Sequence, residues 1–421
     1  MRKLLEMKKI SYYILVISLI LIGTTDVFGQ QSLKHYLEIA AKNNLGLQAK
    51  FNDYMAAMEQ VPQVGTLPEA SFAFSYFIQP VETRVGPQKW KFNLTQSFPW
   101  FGLLNAKEDV ATEMAKAKYE AFENLKSNLF FEVKTAYYNY YFIEKAIEIT
   151  EENIGILEVF KRLSLVKIES GKASIVDELR VELELNDLKN QMALLSDTKH
   201  VLKVKFYNLL NTQISETIEV PETLWQEELP LDKQSMLDSI YSANHELKSI
   251  DHKLNAFANQ EIVAKKEGLP MFTLGLDYTI VEKNPMSTAI DNGRDAFMFP
   301  SIGIKIPLYR NKYKARIKEA TYLQEAERSK KEDKKNMLST VYEDTYKDFS
   351  DSNRRILLNQ KQTEIAKKVL DVLMTSYSTD SKGFEEVLRM ERELLKYELE
   401  YQKALTDKNA ATAFVDYLLG N

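Results

Sequence analysis

The stretch KWKFNLTQSFPWFG, Lys89 to Gly102, decides how the rest of the chain is read. Trp90, Phe92, Leu94 and Phe98 share one parity, while Lys91, Asn93, Thr95 and Ser97 share the other. Successive side chains of a strand point to opposite faces, so this segment predicts a strand that is greasy on one side and polar on the other. Pro99 stops the pattern, and the next proline is Pro221.

All eleven prolines lie in 62–99 or 221–307, which leaves the tracts 100–220 and 308–421 without one. An interior proline costs a helix about 3 kcal/mol, so two such tracts, rich in Ala, Leu, Glu and Lys, predict long helices. In the first tract apolar or small residues recur at Val110, Met114, Ala117, Ala121, Leu125, Leu129, Val133, Ala136, Tyr140, Ile143 and Ile147. The mean step of about 3.7 residues is helical, and closer to a straight stripe than to a left-handed heptad seam. A helix of roughly 65 residues would run about 100 Å, longer than a globular core requires.

The chain is also written twice. Leu67-Pro68 precedes ASFAFSYFI as Leu269-Pro270 precedes MFTLGLDYTI. SFP ending at Pro99 opens one helical tract and KIP ending at Pro307 opens the other; DELRVELEL (Asp177–Leu185) matches EVLRMEREL (Glu386–Leu394). The expected organisation is a first repeat over 30–210 with a hairpin at 70–98, a linker over 211–232, and a second repeat over 233–421 with a hairpin at 271–306. Each repeat reads as a helix, two strands and two long helices.

Three further segments share the dyad pattern. Phe72, Phe74, Tyr76 and Ile78 alternate with Ala73 and Ser75. Phe272, Leu274, Leu276, Tyr278 and Ile280 alternate with Thr273, Gly275, Asp277 and Thr279. Met298, Ile302, Ile304 and Ile306 alternate with Ser301, Gly303 and Lys305. Any one of them suits a half-buried strand of a soluble sheet. Together they favour a membrane barrel, because they have about the length of tilted spanning strands and the helices are too long to fold back over a greasy face. Four strands leave two open edges, which lipid does not tolerate. Oligomerisation is therefore required; two copies would give eight strands and three would give twelve, the latter with room for a pore.

The N-terminus carries Arg2, Lys3, Lys8 and Lys9, an apolar run over Ile10–Ile22, and small residues up to Gly29, the pattern of a cleaved signal peptide over 1–29. The run is short for a spanning helix. Residues 1–29 hold four basic and two acidic side chains, so their removal takes the net charge from −5 to about −7, which argues against nucleic acid as a partner. The chain has no cysteine, so neither a disulfide nor a thioether-linked lipid is available to it.

Catalytic patterns are missing from the sequence: no phosphate-binding glycine loop, nucleophile elbow or dinucleotide fingerprint occurs. An enzyme is not expected, and neither is a cofactor or a metal. His35, His200, His245 and His252 read as surface histidines, although His245 and His252 are seven apart and share a helix face. The carboxylates of LRVELEL and LRMEREL read as a solvated or inter-helix face. Tyr137, Tyr138, Tyr140 and Tyr141 are expected to divide between helix packing and the lumen or solvent, with core packing the default.

The duplicated order, with QSFPWFG closing the second strand and ESGKASIVDELRVELEL at the far helical turn, resembles the TolC family of outer-membrane efflux ducts. The resemblance spans essentially the whole chain after the signal peptide. It implies a mainly α fold with a small β membrane part: duplicated long-helix hairpins forming a trimeric α-barrel joined to a twelve-stranded antiparallel β-barrel. It further implies a passive exit duct across outer membrane and periplasm, serving tripartite efflux or type I secretion, with a periplasmic adaptor and an inner-membrane pump of RND or ABC type as partners. Trp90, Phe92, Leu94, Phe98, Phe272, Leu274, Leu276, Ile302, Ile304 and Ile306 would then face lipid. Gly171, Lys172, Ser174, Asp177 and Gly383 would lie at the adaptor-docking tip, with Gly171 permitting the reversal and Asp177 capping the return helix. Glu386, repeated around a trimer axis, would form an acidic aperture; otherwise it is a helix-start acid. Gly383 sits three places later than a copy of Gly171 would, which puts adaptor contacts at the second tip in question. The alternative class is a periplasmic coiled-coil scaffold or adaptor that enters no membrane.

Overall fold

A computed structural model describes residues 25–172, 174–214, 218–230, 232–380 and 383–421. The signal peptide read over 1–29 falls outside these up to residue 24. The chain runs α1 (Thr25–Asn43), α2 (Leu45–Met58), α3 (Gln60–Gly65), β1 (Ser71–Thr83), β2 (Gly86–Phe98), α4 (Leu103–Glu169) and α5 (Ile175–Leu210). It continues with α6 (Lys233–Ala243), α7 (His245–Glu267), β3 (Met271–Val281), β4 (Ala296–Lys305), α8 (Arg310–Asp380) and α9 (Phe384–Leu418). The protein is thus mainly helical with one small antiparallel sheet. The proline-free tracts hold α4 of 67 residues and α8 of 71. Among the described residues no helix is long and apolar enough to cross a membrane.

Two compact units draw on both halves of the sequence. One comprises 25–48, Glu123–Asn244 and Asn336–Asn421; the other comprises Ala49–Phe122 and His245–Lys335 and contains the sheet.

In the first unit Tyr137, Tyr138, Tyr140 and Tyr141 are all fully buried, so none approaches solvent or a lumen. Three of them, Tyr137, Tyr138 and Tyr141, meet the segment 218–230, which has no helix or strand yet packs Ile218, Leu224 and Trp225 into the core. Tyr141 Oη accepts from the Leu224 N–H at 3.1 Å and donates to Gln402 at 3.0 Å, and Tyr138 Oη reaches Glu227 at 3.3 Å. Buried Asn409 holds the same segment twice, donating to the Trp225 carbonyl at 2.8 Å and accepting from the Glu227 N–H at 3.1 Å. Burial raises all four phenols, Tyr141 to about 12.

In the second unit the strand order is β1-β2-β3-β4, every pair antiparallel. The chain leaves β2 through Pro99 and turns at Gly102, whose φ of +72° is open to glycine at little cost. A Cβ there would lie 3.0 Å from Lys266 Nζ, so the same glycine makes room for that ammonium. His245 and His252 are not surface histidines. Their Nδ1 atoms lie 2.6 Å from Glu120 and 2.8 Å from Glu113, so the seven-residue spacing of the histidines is matched by that of the glutamates on α4. At Glu113 burial acts to raise the carboxyl, but hydrogen bonds from Lys116 and His252 outweigh it and hold it below the usual range.

Candidate functional site: the strand faces and the helical reversals

The register places the apolar residues of neighbouring strands opposite one another. Leu94 pairs with Phe72 on one side and Leu276 on the other; Phe98 pairs with Phe272, and Phe272 with Ile304. An aromatic ladder joins β1 to β2, with Phe74 and Tyr76 at 5.1 and 4.5 Å from Trp90 and Phe74 at 5.3 Å from Phe92. The other face aligns Ser75 with Lys91, Asn93 with Asp277, and Thr95 with Gly275 and then Ser301. Asp277 accepts from Asn93 Nδ2 at 3.0 Å and pairs with Lys91 Nζ at 3.2 Å.

Burial in β3 is the reverse of that in a soluble sheet. In β3, Gly275, Asp277, Thr279 and Val281 are buried, whereas Phe272, Leu274, Leu276, Tyr278 and Ile280 are partly or wholly exposed. Of the ten apolar residues singled out in the sequence, Leu94, Phe98, Leu274, Ile302, Ile304 and Ile306 are exposed; Trp90, Phe92, Phe272 and Leu276 are half-buried under cross-strand neighbours. Ile306 lies just past the end of β4. Exposed Phe72, Phe74, Tyr76 and Ile78 extend the greasy surface to the β1 edge. A soluble monomer rarely shows a contiguous patch of this kind, because each buried Leu, Ile or Phe side chain is worth roughly 1.5–3 kcal/mol.

One strand assignment changes. Met298 does not share the face of Ile302 and Ile304, because a register shift falls between Gly275 and Asp277 of β3. Beyond it Met298 opposes Asp277 on the polar side, and Phe297 takes the apolar position opposite Tyr278, ring to ring at 6.4 Å. A bulge reverses which parity faces outward, and the sequence of one strand does not display it.

The two reversals of the first unit lie together. α4 ends with Gly171 at φ +72°, its N–H donating to the Ile168 carbonyl at 2.9 Å and that of Lys172 to the Lys167 carbonyl at 2.8 Å. This satisfies carbonyls that a helix end leaves unpaired. The cap of α5 is Ser174, not Asp177: Ser174 Oγ accepts from the Val176 N–H at 3.2 Å, and Asp177 answers by accepting from the Ser174 N–H at 3.4 Å. At the second reversal Gly383, φ +87°, opens α9 without a side-chain cap. Glu386 is exposed in its first turn with a carboxylate oxygen near Gly383, the position of a helix-start acid.

Arg180 reaches Glu385 at 3.5 Å across the two reversals. A cleft of about 290 Å³ beside this pair is lined by Arg180, Arg389 and Arg392 together with Glu385 and Glu386. Beneath it Phe160, Tyr377 and Phe384 form an aromatic cluster with centroids 5.3–6.3 Å apart. Lys167 donates to the Tyr377 carbonyl and lies 4.4 Å from its ring. These residues were not singled out from the sequence; the only trace is that Phe160 and Phe384 stand among charged neighbours at helical spacing. Of the two readings of the LRMEREL carboxylates, solvated or inter-helix, Glu391 departs from the solvated one. It is 2% exposed, neither carboxylate oxygen has a hydrogen-bond partner, and burial followed by the charge of Glu398 raises it to about 7. Among the described residues no group of three or more His, Cys, Asp and Glu could hold a metal.

Solved structures of the same architecture exist. CusC, described for the conformational changes that accompany folding and transmembrane channel formation, superposes with a TM-score of 0.75 at 17% identity, covering 93% of this chain and 92% of its own. The outer membrane protein VceC of Vibrio cholerae gives 0.73 at 14% identity, over 92% of this chain and 96% of its own. The open-state MtrE outer membrane channel of Neisseria gonorrhoeae gives 0.73 at 16%, over 92% and 89%. The chain has the fold of these channels. No family model and no curated protein matches its sequence. The likeness to the channel fold is thus one of architecture, over more than nine-tenths of the chain.

Proposed function

We propose that this chain is one protomer of an outer-membrane exit duct, secreted by an N-terminal signal peptide and assembled as a trimer. The observation that carries the reading is the inverted burial of the sheet: its apolar residues are largely exposed while the polar side of β3 is buried, and its β1 and β4 edges have no partner strand among the described residues. Lipid answers the exposed face, and only closure with further copies answers the edges, since each unsatisfied backbone group in hydrocarbon costs several kcal/mol. Three copies give a twelve-stranded barrel with a water-filled interior. The ten apolar residues from Trp90 to Ile306 then face lipid, and Lys91, Asn93, Thr95 and Asp277 face water.

The helices continue the duct into the periplasm, built from repeats over 30–210 and 233–421 with 211–232 between them. The reversals, through Gly171, Lys172, Ser174, Asp177 and Gly383, receive a periplasmic adaptor that links the duct to an RND or ABC pump; the charged cleft around Arg180 and Arg389 suits such a polar contact. Transport is passive, with no catalytic step in this chain. Glu386, threefold repeated, lines the aperture.

The protein is expected to fractionate with the outer membrane and to crosslink as a trimer. A mature chain that is soluble and monomeric without detergent overturns the reading. For Glu386, unchanged ion selectivity of Glu386→Ala in single-channel recordings removes the aperture role and leaves the duct standing.

A further inference from the structure

A cavity of about 600 Å³ in the sheet-bearing unit is formed wholly by the junctions between strands and helices. Its lining includes Trp100 after β2, Lys107 on α4, Lys266 at the end of α7, and Lys312, Tyr313 and Arg316 at the start of α8. Four cationic side chains face two carboxylates, Glu69 and Glu267, so the lining is net positive. Glu267 is already engaged by Lys107 at 3.3 Å and by Arg316. Lys266 instead donates to the uncharged Phe101 carbonyl at 3.0 Å, and Lys312 lies 6.0 Å from the Tyr313 ring centroid. Neither contact cancels an ammonium charge. Around the same junctions Phe101, Leu308 and Tyr309 are 80%, 77% and 85% exposed. Exposed aromatic and apolar residues bordering a barrel strand mark the membrane–water interface.

We propose that this cavity binds the phosphodiester headgroup of an anionic glycerophospholipid of the adjoining leaflet, with Lys266 and Lys312 on the phosphate and the acyl chains against Phe101, Leu308 and Tyr309. The proposal rests on the membrane-barrel reading, which puts the strand–helix junctions at the bilayer surface. Basic pockets at that depth select charged headgroups, and each ammonium near an anionic surface contributes about 1 kcal/mol. Gly102 belongs to the same site, since a Cβ there would press on Lys266 Nζ. The chain has no cysteine to carry a covalent lipid, so a headgroup held at this position supplies an anchor by non-covalent means.

The test is native mass spectrometry and equilibrium titration of the full-length protein, delipidated in neutral detergent, with dihexanoyl phosphatidylglycerol, dihexanoyl phosphatidylcholine and inorganic phosphate. Phosphatidylglycerol is expected to bind most tightly, and Lys266→Gln with Lys312→Gln together to weaken it about thirtyfold, while Lys253→Gln on exposed α7 surface leaves it unchanged. If inorganic phosphate binds as tightly as phosphatidylglycerol, the ligand is a free anion and the lipid proposal falls. If the double variant binds phosphatidylglycerol like the wild type, the site is elsewhere and the proposal falls. Outer-membrane fractionation of the same variants separates the two readings: protein that enters the membrane but retains no lipid defeats only this proposal, whereas protein that never enters it defeats the barrel as well.

Discussion

In the sheet, Ile302 is 72% exposed and Asp277 only 8%. At the helical reversals, Leu388 is 3% exposed while the Glu385 side chain is 78% exposed. The two regions come from one chain and have opposite burial. A helix can satisfy its backbone alone, so its apolar stripe is free to seek other helices, and Val181, Leu185, Leu388 and Leu394 make a core in the ordinary way. A strand satisfies its backbone only through neighbours, and here the neighbours form a curtain whose apolar side is left largely uncovered in the protomer. The contrast teaches that the same residue types, Ile and Leu, report packing in one region and solvent choice in the other.

The largest effect expected is on the sheet. Phe92→Lys with Ile304→Lys puts charge on the apolar face, at about 2–4 kcal/mol for Phe92 in mid-strand and less for Ile304 near the strand end, and should abolish folded assembly in outer-membrane fractions. Thr95→Lys with Ser301→Lys, on the polar face, should still assemble; equal loss from both pairs would erase the distinction between faces.

Glu391 offers the next largest change. Its carboxyl is raised to about 7 in the folded protein and titrates near 4.5 when unfolded. The stability it contributes as a neutral acid is therefore full below about pH 4.5, declines as pH rises, and is gone above about pH 7, a span of about 3 kcal/mol. Glu391→Gln should flatten this slope in denaturant titrations, and Glu391→Leu should stabilise the protein above pH 7. A wild-type slope that persists in Glu391→Gln would show the group to be solvated, which contradicts its place in the core.

Smaller effects are expected at the reversals. Ser174→Ala removes the cap of α5 and should cost about 1 kcal/mol in thermal or denaturant unfolding. Asp177→Ala should cost less, since it removes the reciprocal bond only; the reverse order would restore Asp177 as the cap. Arg180→Ala breaks an exposed pair with Glu385, and its effect on stability should stay below about 0.5 kcal/mol. A large loss in adaptor binding with so small a loss in stability would mark Arg180 as part of the docking surface.

What the sequence displayed was local or periodic. The parity of Trp90, Phe92 and Leu94, the proline-free tracts, and Gly171 at a reversal all follow from backbone rules that act within a few residues. What it hid depended on contacts between distant segments. Met298 changes face because β4 slips against β3. Tyr137, Tyr138 and Tyr141 of AYYNYYF meet 218–230, a segment with no periodicity that Asn409 ties down. His245 and His252 meet Glu120 and Glu113 only because α7 lies along α4. Glu391 looked like its solvated neighbours because a charged residue in a helical repeat gives no sign of the helix that will cover it.

The most direct measurement uses the absence of cysteine in the native chain. Single cysteines placed at 91, 92, 93, 94 and 95 of β2 and at 276 of β3 can each be treated with a water-soluble maleimide in intact outer membranes. Labelling is expected at Lys91→Cys, Asn93→Cys and Thr95→Cys, and protection at Phe92→Cys, Leu94→Cys and Leu276→Cys. Labelling of all positions alike, or protection of the polar parity instead, would contradict a barrel that turns its apolar face to lipid.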